Sequence, residues 1–498
     1  MNKNSKNLDD LSSIRKKFLD KKIVLAHGVF DVFHIGHLRH LKISKSEGDI
    51  LVVSITSDSF VNKGPNRPHF KENFRAEILS SIKEVDFVYI NHAETPINVI
   101  KALKPNIYIK GKDYKDLNKD ITKNILKEKK EVEKNNGKLI FTDDITHSSS
   151  HLINKHFSLD KKKRNHNNIS FENINKIFKK IKNIKVLVLG ELILDEYIFT
   201  EYLGAASKEE ITVMNYKNKK TYLGGAFPIA KNISEFCGEV TYLSCGRIAK
   251  KELNFLRSQS KACKIKLNFF VDNYRLIKKT RYLTNKNRKL FEIYYQSTKN
   301  KNQNNEKLFD FLKKNLHKFD LVIAADFGHG LFDERVINLL TKKSKFLSVN
   351  TQTNAENRGY NLITKYRSAD HVTLDLPEIQ LALKKKDHEK ELIKNMFKEI
   401  KIKNLTLTLA SKGLIVNKKI KNKIASYSID ALSDNAVDTI GAGDAVFAFT
   451  SLMSKMNSTI EENAFVSNLA GALKIQILGH ESHIKKVNFI KSLTYLLK

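Results

Sequence analysis

The stretch HGVFDVFHIGH, residues 27 to 37, places His34 and His37 three apart around a glycine, directly after the apolar run KIVLA. Asp31 to Gly36 read as a short turn, with a helix expected to begin near His37. A helix that starts just after a strand leaves backbone N–H groups unpaired and presents the positive end of its dipole, so an anion is favoured there. Imidazoles flanking that point can donate to the anion. Zinc is a competing reading, but it needs a third ligand, and the H-E-x-x-H spacing of helical zinc sites is absent. A pair of packed core histidines is the plainer alternative, and the turn with its central glycine weakens it.

A second chemical stretch, DTIGAGD, spans residues 438 to 444. It reads as a glycine turn opening a long helix, so Gly441, Ala442 and Gly443 can aim backbone N–H groups at a phosphate. Asp444 stands beside them, where a carboxylate can accept a hydroxyl proton as a phosphoryl group transfers. A single G-x-G-D also occurs in ordinary tight turns, so its context decides the reading.

The elements that must hold these stretches follow one pattern twice. From residue 21, apolar strands alternate with amphipathic helices: KIVLAHGVF, HLRHLKISKSEG, DILVVSITS, a helix around FRAEILSSIKEV, then DFVYI. The unit continues through INVIKALKPNIYIKG, a lysine-rich helical stretch and GKLIFTD. Such alternation predicts a parallel sheet covered by helices. Residues 158–170, SLDKKKRNHNNIS, lose the periodicity and carry four consecutive basic residues, as a solvated linker does. A strand-led α/β pattern restarts at IKVLVLGELILDEY and continues through DLVIAADFG, KFLSVNT, DHVTLD and LTLTLA. The domains expected are 1–157 and 171–498, joined by 158–170.

The 498 residues exceed what one core usually supports, in accord with two domains. Hydrophobic residues at 41% and charged residues at 29% exclude a largely disordered chain. The formal charge of +34, from 88 Lys and Arg against 54 Asp and Glu, raises nucleic acid and anionic membranes as partners. Lysine is nevertheless spread along the whole chain, without an aromatic-studded basic face, so neither nucleic acid nor a membrane is expected as a partner. Anionic small substrates would still be drawn to it. Cys237, Cys245 and Cys263 are odd in number, lack C-x-x-C spacing and suit a reducing compartment. No signal-peptide core is evident and the apolar runs are broken by acids, so a cytoplasmic location is expected.

HGVFDVFHIGH resembles the H-x-G-H signature of the cytidylyltransferase-like branch of the nucleotidyltransferases. RPHFKENFRAEIL, KPNIYIKGKDY and THSSSHLI resemble, in order, segments of the transferase half of the bifunctional heptose kinase/adenylyltransferase family. The likeness covers roughly residues 21–157 and implies a Rossmann-like fold. In that chemistry a sugar-phosphate oxygen attacks an α-phosphate in line and expels pyrophosphate, and the enzyme positions groups and stabilises charge. The resemblance implies that His34 and His37 donate to the triphosphate in the transition state. Gly28, Phe30, Asp31, Lys63, Arg75, Asp113, Ser148, Ser149 and Ser150 would contact nucleotide or phosphate. H-I-G-H also occurs in class I aminoacyl-tRNA synthetases, but the companion K-M-S-K-S loop is missing, the nearest text being LMSKMNS in the other domain.

DTIGAGD resembles the D-T-x-G-A-G-D signature of the ribokinase (PfkB) family of sugar kinases, over roughly residues 180–498. GELILDEY resembles that family's opening strand, which implies sugar binding by Asp195. LGGAFPIAKNI resembles its paired-glycine segment, placing Gly224 and Gly225 against the sugar. TLDLPEI implies that Glu378 helps hold a Mg²⁺ network, and ASKG places Ser411 and Gly413 at the nucleotide loop. KKTRYL and ADFGHGLF again resemble the heptose kinase, and Arg281 is either a sugar-phosphate ligand or a surface arginine. The halves would stand in reversed order relative to that enzyme. Glu191, Pro228 and Asp375 depart from the family's usual Asp, Asn and Asn, and NTQTNAENRGYN departs from its aspartate-proline-lysine, all on the sugar and metal side.

The resemblances together imply a bifunctional enzyme of nucleotide-sugar synthesis. It would use ATP and Mg²⁺ to phosphorylate a sugar or sugar phosphate, and ATP or CTP as nucleotidyl donor to a sugar phosphate. The product is expected to be heptose-like, for a surface polysaccharide such as lipopolysaccharide. A separate sugar bisphosphate phosphatase is expected between the steps if the substrate is a heptose 7-phosphate, and a homo-oligomer stays open. The alternatives are an active transferase with a kinase domain reduced to sugar binding, and a basic RNA-binding or regulatory protein.

Overall fold

The computed structural model describes the chain except residues 1–3, 6, 62–63, 66, 112–123, 143–168, 210, 286, 296–305, 355–356, 434–435 and 498. Lys63, Asp113, Ser148, Ser149, Ser150 and all but the last two residues of the expected linker therefore lie outside the described residues. Two compact units form: residues 1–165 with 490–496, and residues 166–489 with 497–498. The segment 490–496, which the sequence assigns to the second domain, thus falls in the first unit.

In the first unit, the strands are β1 (Asn4–Ser5), β2 (Ile23–Gly28), β3 (Ile50–Thr56), β4 (Phe87–Asn91), β5 (Ile107–Lys110) and β6 (Lys138–Phe141). They form one parallel sheet in the order β1-β4-β3-β2-β5-β6. The unbroken apolar run of β2 is explained by burial on both faces. Val24 and Ala26 enter one core cluster, whereas Ile23 and Leu25 enter the other, as a period of two demands. Strand order reverses between β2 and β5, and that switch point is where open α/β sheets bind ligands. The loop after Gly28 leads there into helix α1 (Ile35–Ser46).

The second unit carries a nine-stranded sheet. Its strands are β7 (Lys185–Gly190), β10 (Glu239–Arg247), β11 (Ile265–Arg275), β14 (Leu321–Asp326), β15 (Leu347–Thr351), β16 (Ser368–Asp375), β17 (Lys401–Thr408), β18 (Leu414–Ile420) and β19 (Lys423–Ile429). The order is β11-β10-β7-β14-β15-β16-β17-β18-β19, parallel up to β17 and antiparallel over the last two. Its switch point lies between β7 and β14. A separate four-stranded sheet, β13-β12-β8-β9, is built from β8 (Leu192–Ala205), β9 (Thr212–Gly225), β12 (Ile277–Thr284) and β13 (Lys289–Tyr295).

Helix α2 (Ala442–Lys455), which follows the glycine turn, is buried from Asp444 to Ser454. A helix buried all round must satisfy its polar groups internally. Thr450 meets Thr406 and Asn463 at 2.8 and 2.9 Å, and Ser451 meets Ser348 at 2.6 Å. Both units are thus α/β folds of the doubly wound kind.

Candidate active sites

At the first switch point, β2 ends at Gly28, and Phe30 and Val32 take positive φ of 52° and 45°. Such a conformation is strained for bulky residues and persists only where its surroundings enforce it. The enforcing groups are Asp31 and Arg75. Asp31 is buried and accepts from the His69 and Phe70 amides and from Arg67, at 3.0–3.1 Å. Burial pushes its carboxyl up, yet these donors outweigh it and hold the group below the usual carboxylate range. Arg75 is 1% exposed and donates to Phe70 O, Val29 O and Asp58 Oδ1 at 2.9, 2.6 and 2.7 Å. Its guanidinium therefore knits three segments together beneath the loop, rather than presenting itself to a phosphate as the sequence reading expects.

The helix begins at Ile35, two residues before the expected start, and His34 is its N-cap. The Gly36 amide donates to Nδ1 of His34 at 3.0 Å, which puts the neutral ring's proton on Nε2. His34 and His37 then stack, ring centroids 4.0 Å apart, with Phe30 edge-on to His37 at 5.3 Å. Two further histidines lie behind. His27 approaches Ser54 Oγ at 3.2 Å and His40 approaches Thr142 Oγ1 at 3.1 Å. Burial and then Lys110 lower both, His40 to about 4, so they are neutral at pH 7. Imidazoles at a helix N-terminus form a donor surface for an anion, and the sequence reading did not single out His27, His40 or Lys110.

In the second unit a cavity of about 200 Å³ brings together Asp195, Gly225, Arg281, Gly441, Gly443 and Asp444. The paired glycines have steric causes. A Cβ at Gly224 would lie 1.9 Å from the Asp195 carboxylate, and one at Gly225, where φ is +66°, would lie 2.1 Å from Glu191 O. Asp195 Oδ1 accepts from Arg281 at 2.6 Å, and Arg281 also pairs with Glu292. Arg281 is thus neither a surface group nor uncommitted, since it pins Asp195 in the cavity wall.

Asp444 lies in the first turn of α2, 9% exposed, and accepts from Gln352 Nε2 at 2.8 Å. Burial pushes its carboxyl up to about 6, against the opposing pull of Lys474 and Gln352. That value suits a base working near neutrality. Gly441, the N-cap, has φ +77° and a Cβ there would meet His480 Cε1 at 2.9 Å. His480 Nε2 stands 3.6 Å from Asp195 Oδ2, and its Nδ1 is buried without a hydrogen-bond partner among the described residues. His480, Lys279, Gln352 and Phe327 also line it, with Ile193 and Ile440, and none of the four was singled out by the sequence reading, although Gln352 lies within the divergent NTQTNAENRGYN.

Other expected residues stand outside this lining. Glu378 is buried in a capping box with Asp375 at the head of the helix Leu376–Leu383, and also accepts from the Thr353 amide at 3.1 Å. Burial and then Asp375 push Glu378 up to about 8. Ser411 is exposed, and Gly413 makes the β17–β18 turn, where a Cβ would lie 2.0 Å from Ile429 O. Pro228 occupies the first turn of a helix, Phe227–Ile233, where no intrahelical donor is lost. Glu191 spans the second switch point, accepting from the Phe327 and His329 amides at 3.1 Å.

A doubly wound sheet with a buried carboxylate beside a glycine turn is the build of a phosphoryl-transfer domain, and the known families agree. The pfkB family carbohydrate kinase profile matches residues 183–486, and the cytidylyltransferase-like profile matches residues 25–170. The chain belongs to the pfkB family of carbohydrate kinases and carries a nucleotidyltransferase-like domain before the kinase domain. Its N-terminal region is similar to proteins called "Bifunctional protein HldE". The one from Aliarcobacter butzleri is 39% identical over 117 residues, 23% of this chain and 25% of that protein. The one from Campylobacter jejuni is 44% identical over 116 residues, with the same two shares. The match thus spans about a quarter of the length of these curated relatives. Phosphofructokinase-2 from Escherichia coli, solved in complex with potassium, matches with a TM-score of 0.52 at 14% identity, over 63% of this chain and 100% of that one. That likeness shows the fold of the second unit. Among the described residues no helix is long and apolar enough to cross a membrane.

Proposed function

We propose that the chain is a bifunctional enzyme of nucleotide-sugar synthesis, in which the second unit phosphorylates a sugar or sugar phosphate and the first transfers a nucleotidyl group to a sugar phosphate. The observation that carries the reading is a cavity lined together by Asp195, Asp444 and, from the glycine turn, Gly441 and Gly443. An acceptor hydroxyl held by Asp195 would deliver its proton to Asp444, while the turn's amides and Lys279 take up charge on the transferring γ-phosphoryl oxygens of ATP. Arg281 serves by fixing Asp195, Gly224 by leaving room for its carboxylate, and Gly225 by letting the strand pass close to the Glu191 backbone.

Mg²⁺, which accompanies ATP in such transfer, would supply further charge neutralisation at the phosphates. Glu378, which is buried, and its exposed neighbour Asp375 fit it as adjacent carboxylates whose pKa values are both raised, Asp375 by desolvation and Glu378 by burial and then Asp375. A nearby cation would relieve that strain, so these two are the residues that would hold it. Ser411 and Gly413 are proposed to border the nucleotide.

In the first unit, His34 and His37 would donate to the triphosphate of ATP or CTP as a sugar-phosphate oxygen attacks the α-phosphate and pyrophosphate leaves. Asp31 and Arg75 hold the loop that presents them, and Gly28 and Phe30 line it. The likeness of the N-terminal region to bifunctional HldE proteins supports a heptose-type acceptor; a kinase-after-transferase order reversed from that of the heptose family and a cytoplasmic location belong to the same proposal. A separate phosphatase would act between the steps for a heptose 7-phosphate. Incubating the protein with ATP, CTP and a panel of sugars and sugar phosphates tests the reading. ADP and pyrophosphate, measured separately, should both form, each with its own acceptor, and formation of neither would refute it.

A further inference from the structure

A lysine ammonium is costly to bury, by several kcal/mol even in real proteins, unless it is paired and hydrogen-bonded. Most lysines among the described residues avoid that by staying in contact with water. Lys474 does not: it ends the helix Ile460–Lys474 and is 1% exposed, the lowest value of any lysine among the described residues. Its Nζ donates to Gly479 O at 2.5 Å. The Gly479 amide in turn donates to Asp438 Oδ2 at 2.8 Å, and Asp438 Oδ1 accepts from the Ile440 amide at 3.1 Å. One chain of hydrogen bonds therefore runs from the ammonium to the residue before Gly441. The turn also rests on the lysine itself, because a Cβ at Gly441 would lie 3.1 Å from Lys474 Cε.

We propose that Lys474 is a built-in cation of the kinase site, a positioning residue whose ammonium locks the Gly441 turn to the Gly479 segment and sets a fixed positive charge behind the phosphate-facing amides. The inference rests on the kinase reading above. A preorganised charge in a water-poor site acts more strongly than the same charge in water, and it needs no rearrangement when the phosphoryl charge develops. It also opposes the burial of Asp444, so that this carboxylate stays ionised near neutrality.

The site should tolerate a cation of similar size in its place. In Lys474→Ala, the vacated space borders Gly479 O and the Asp438 side, and ammonium or methylammonium can enter it. The expected results are these: Lys474→Met lowers kcat/KM for phosphorylation at least 100-fold and weakens Mg-AMP-PNP binding about tenfold. Its acid limb moves above that of wild type, because Asp444 loses its counter-charge. Lys474→Ala falls similarly and regains tenfold or more in 0.1 M methylammonium chloride, but not in choline chloride.

A folded Lys474→Met within twofold of wild type, or an equal gain in choline, would overturn the inference while leaving the kinase reading intact. A wild-type protein that phosphorylates nothing and binds no nucleotide would overturn the kinase reading, and the inference with it. Should neither variant fold, the wild-type profile decides. Asp438, Asp444, Lys231, Lys289 and His480 surround Lys474, and burial first, against Asp438 and Asp444, lowers it to about 8. An alkaline fall in kcat/KM centred near there is then required, and activity flat to pH 10 contradicts the proposal.

Discussion

Asp444 is the residue whose environment most directly shapes an observable. With its carboxyl at about 6, the protonated form accumulates below that pH, and kcat/KM for phosphorylation should fall tenfold per pH unit on the acid side. The same shift bears on stability. Its folded value lies above the ordinary 3.8, so the native state binds the extra proton, and the contribution is present below about 4 and lost as pH rises through 6. Ionised Asp444 thus costs about 3 kcal/mol at pH 8. Asp444→Asn, which keeps an oxygen for Gln352, should melt higher than wild type at pH 8 and equally at pH 3.5; equal melting at both would contradict the burial argument. Arg75→Ala should cost about 3–5 kcal/mol by leaving Asp58 and two carbonyls without their donor, seen as a lower unfolding midpoint in urea. What the sequence discloses at this scale is local: His34, His37, Gly441 and Asp444 are legible because spacing alone places them at helix starts. His480, Lys279 and Gln352 reach the cavity from scattered segments, Lys474 lies behind its glycine turn, and Arg75 is buried by contacts 5 to 46 residues away, which no spacing announces.

The elements were legible where burial is continuous. The strands β2, β3, β7 and β14 are apolar because both faces are covered, and each stands where the sequence places it. The four-stranded sheet was not legible as a unit: β8 is buried from Leu192 to Tyr197 and, apart from Thr200, half-buried or exposed beyond it, and β9 is mostly exposed up to Thr221, so their outer halves carry no core pattern. The helix after HGVFDVFHIGH starts early because His34 caps it through its own ring, an option that spacing does not distinguish from a turn. Glycines test the assignment of elements. Gly225→Ala must abandon a φ of +66° or press into the Glu191 backbone at 2.1 Å. The left-handed conformation alone costs about 1–2 kcal/mol. A lower melting temperature together with weaker acceptor binding is expected, whereas an unchanged melting temperature would show that the turn is not held as described.

At the scale of the molecule, two nucleotide-handling folds share one chain whose charge is +34. That charge is spread over the sequence, so RNA binding should be weak, with Kd above about 1 μM at physiological salt, in the range of non-specific association. A tight complex of defined sequence would favour the regulatory alternative instead. Each unit closes its own core and holds its own anion-facing glycine or histidine turn, which predicts separable activities. The most direct measurement is the pair of products, ADP and pyrophosphate, formed by folded Asp444→Asn and by folded His34→Ala/His37→Ala. Asp444→Asn should lose phosphorylation by about 10²–10⁴ and keep nucleotidyl transfer, and the double histidine variant should do the reverse. Loss of both activities in either variant would contradict a two-site enzyme.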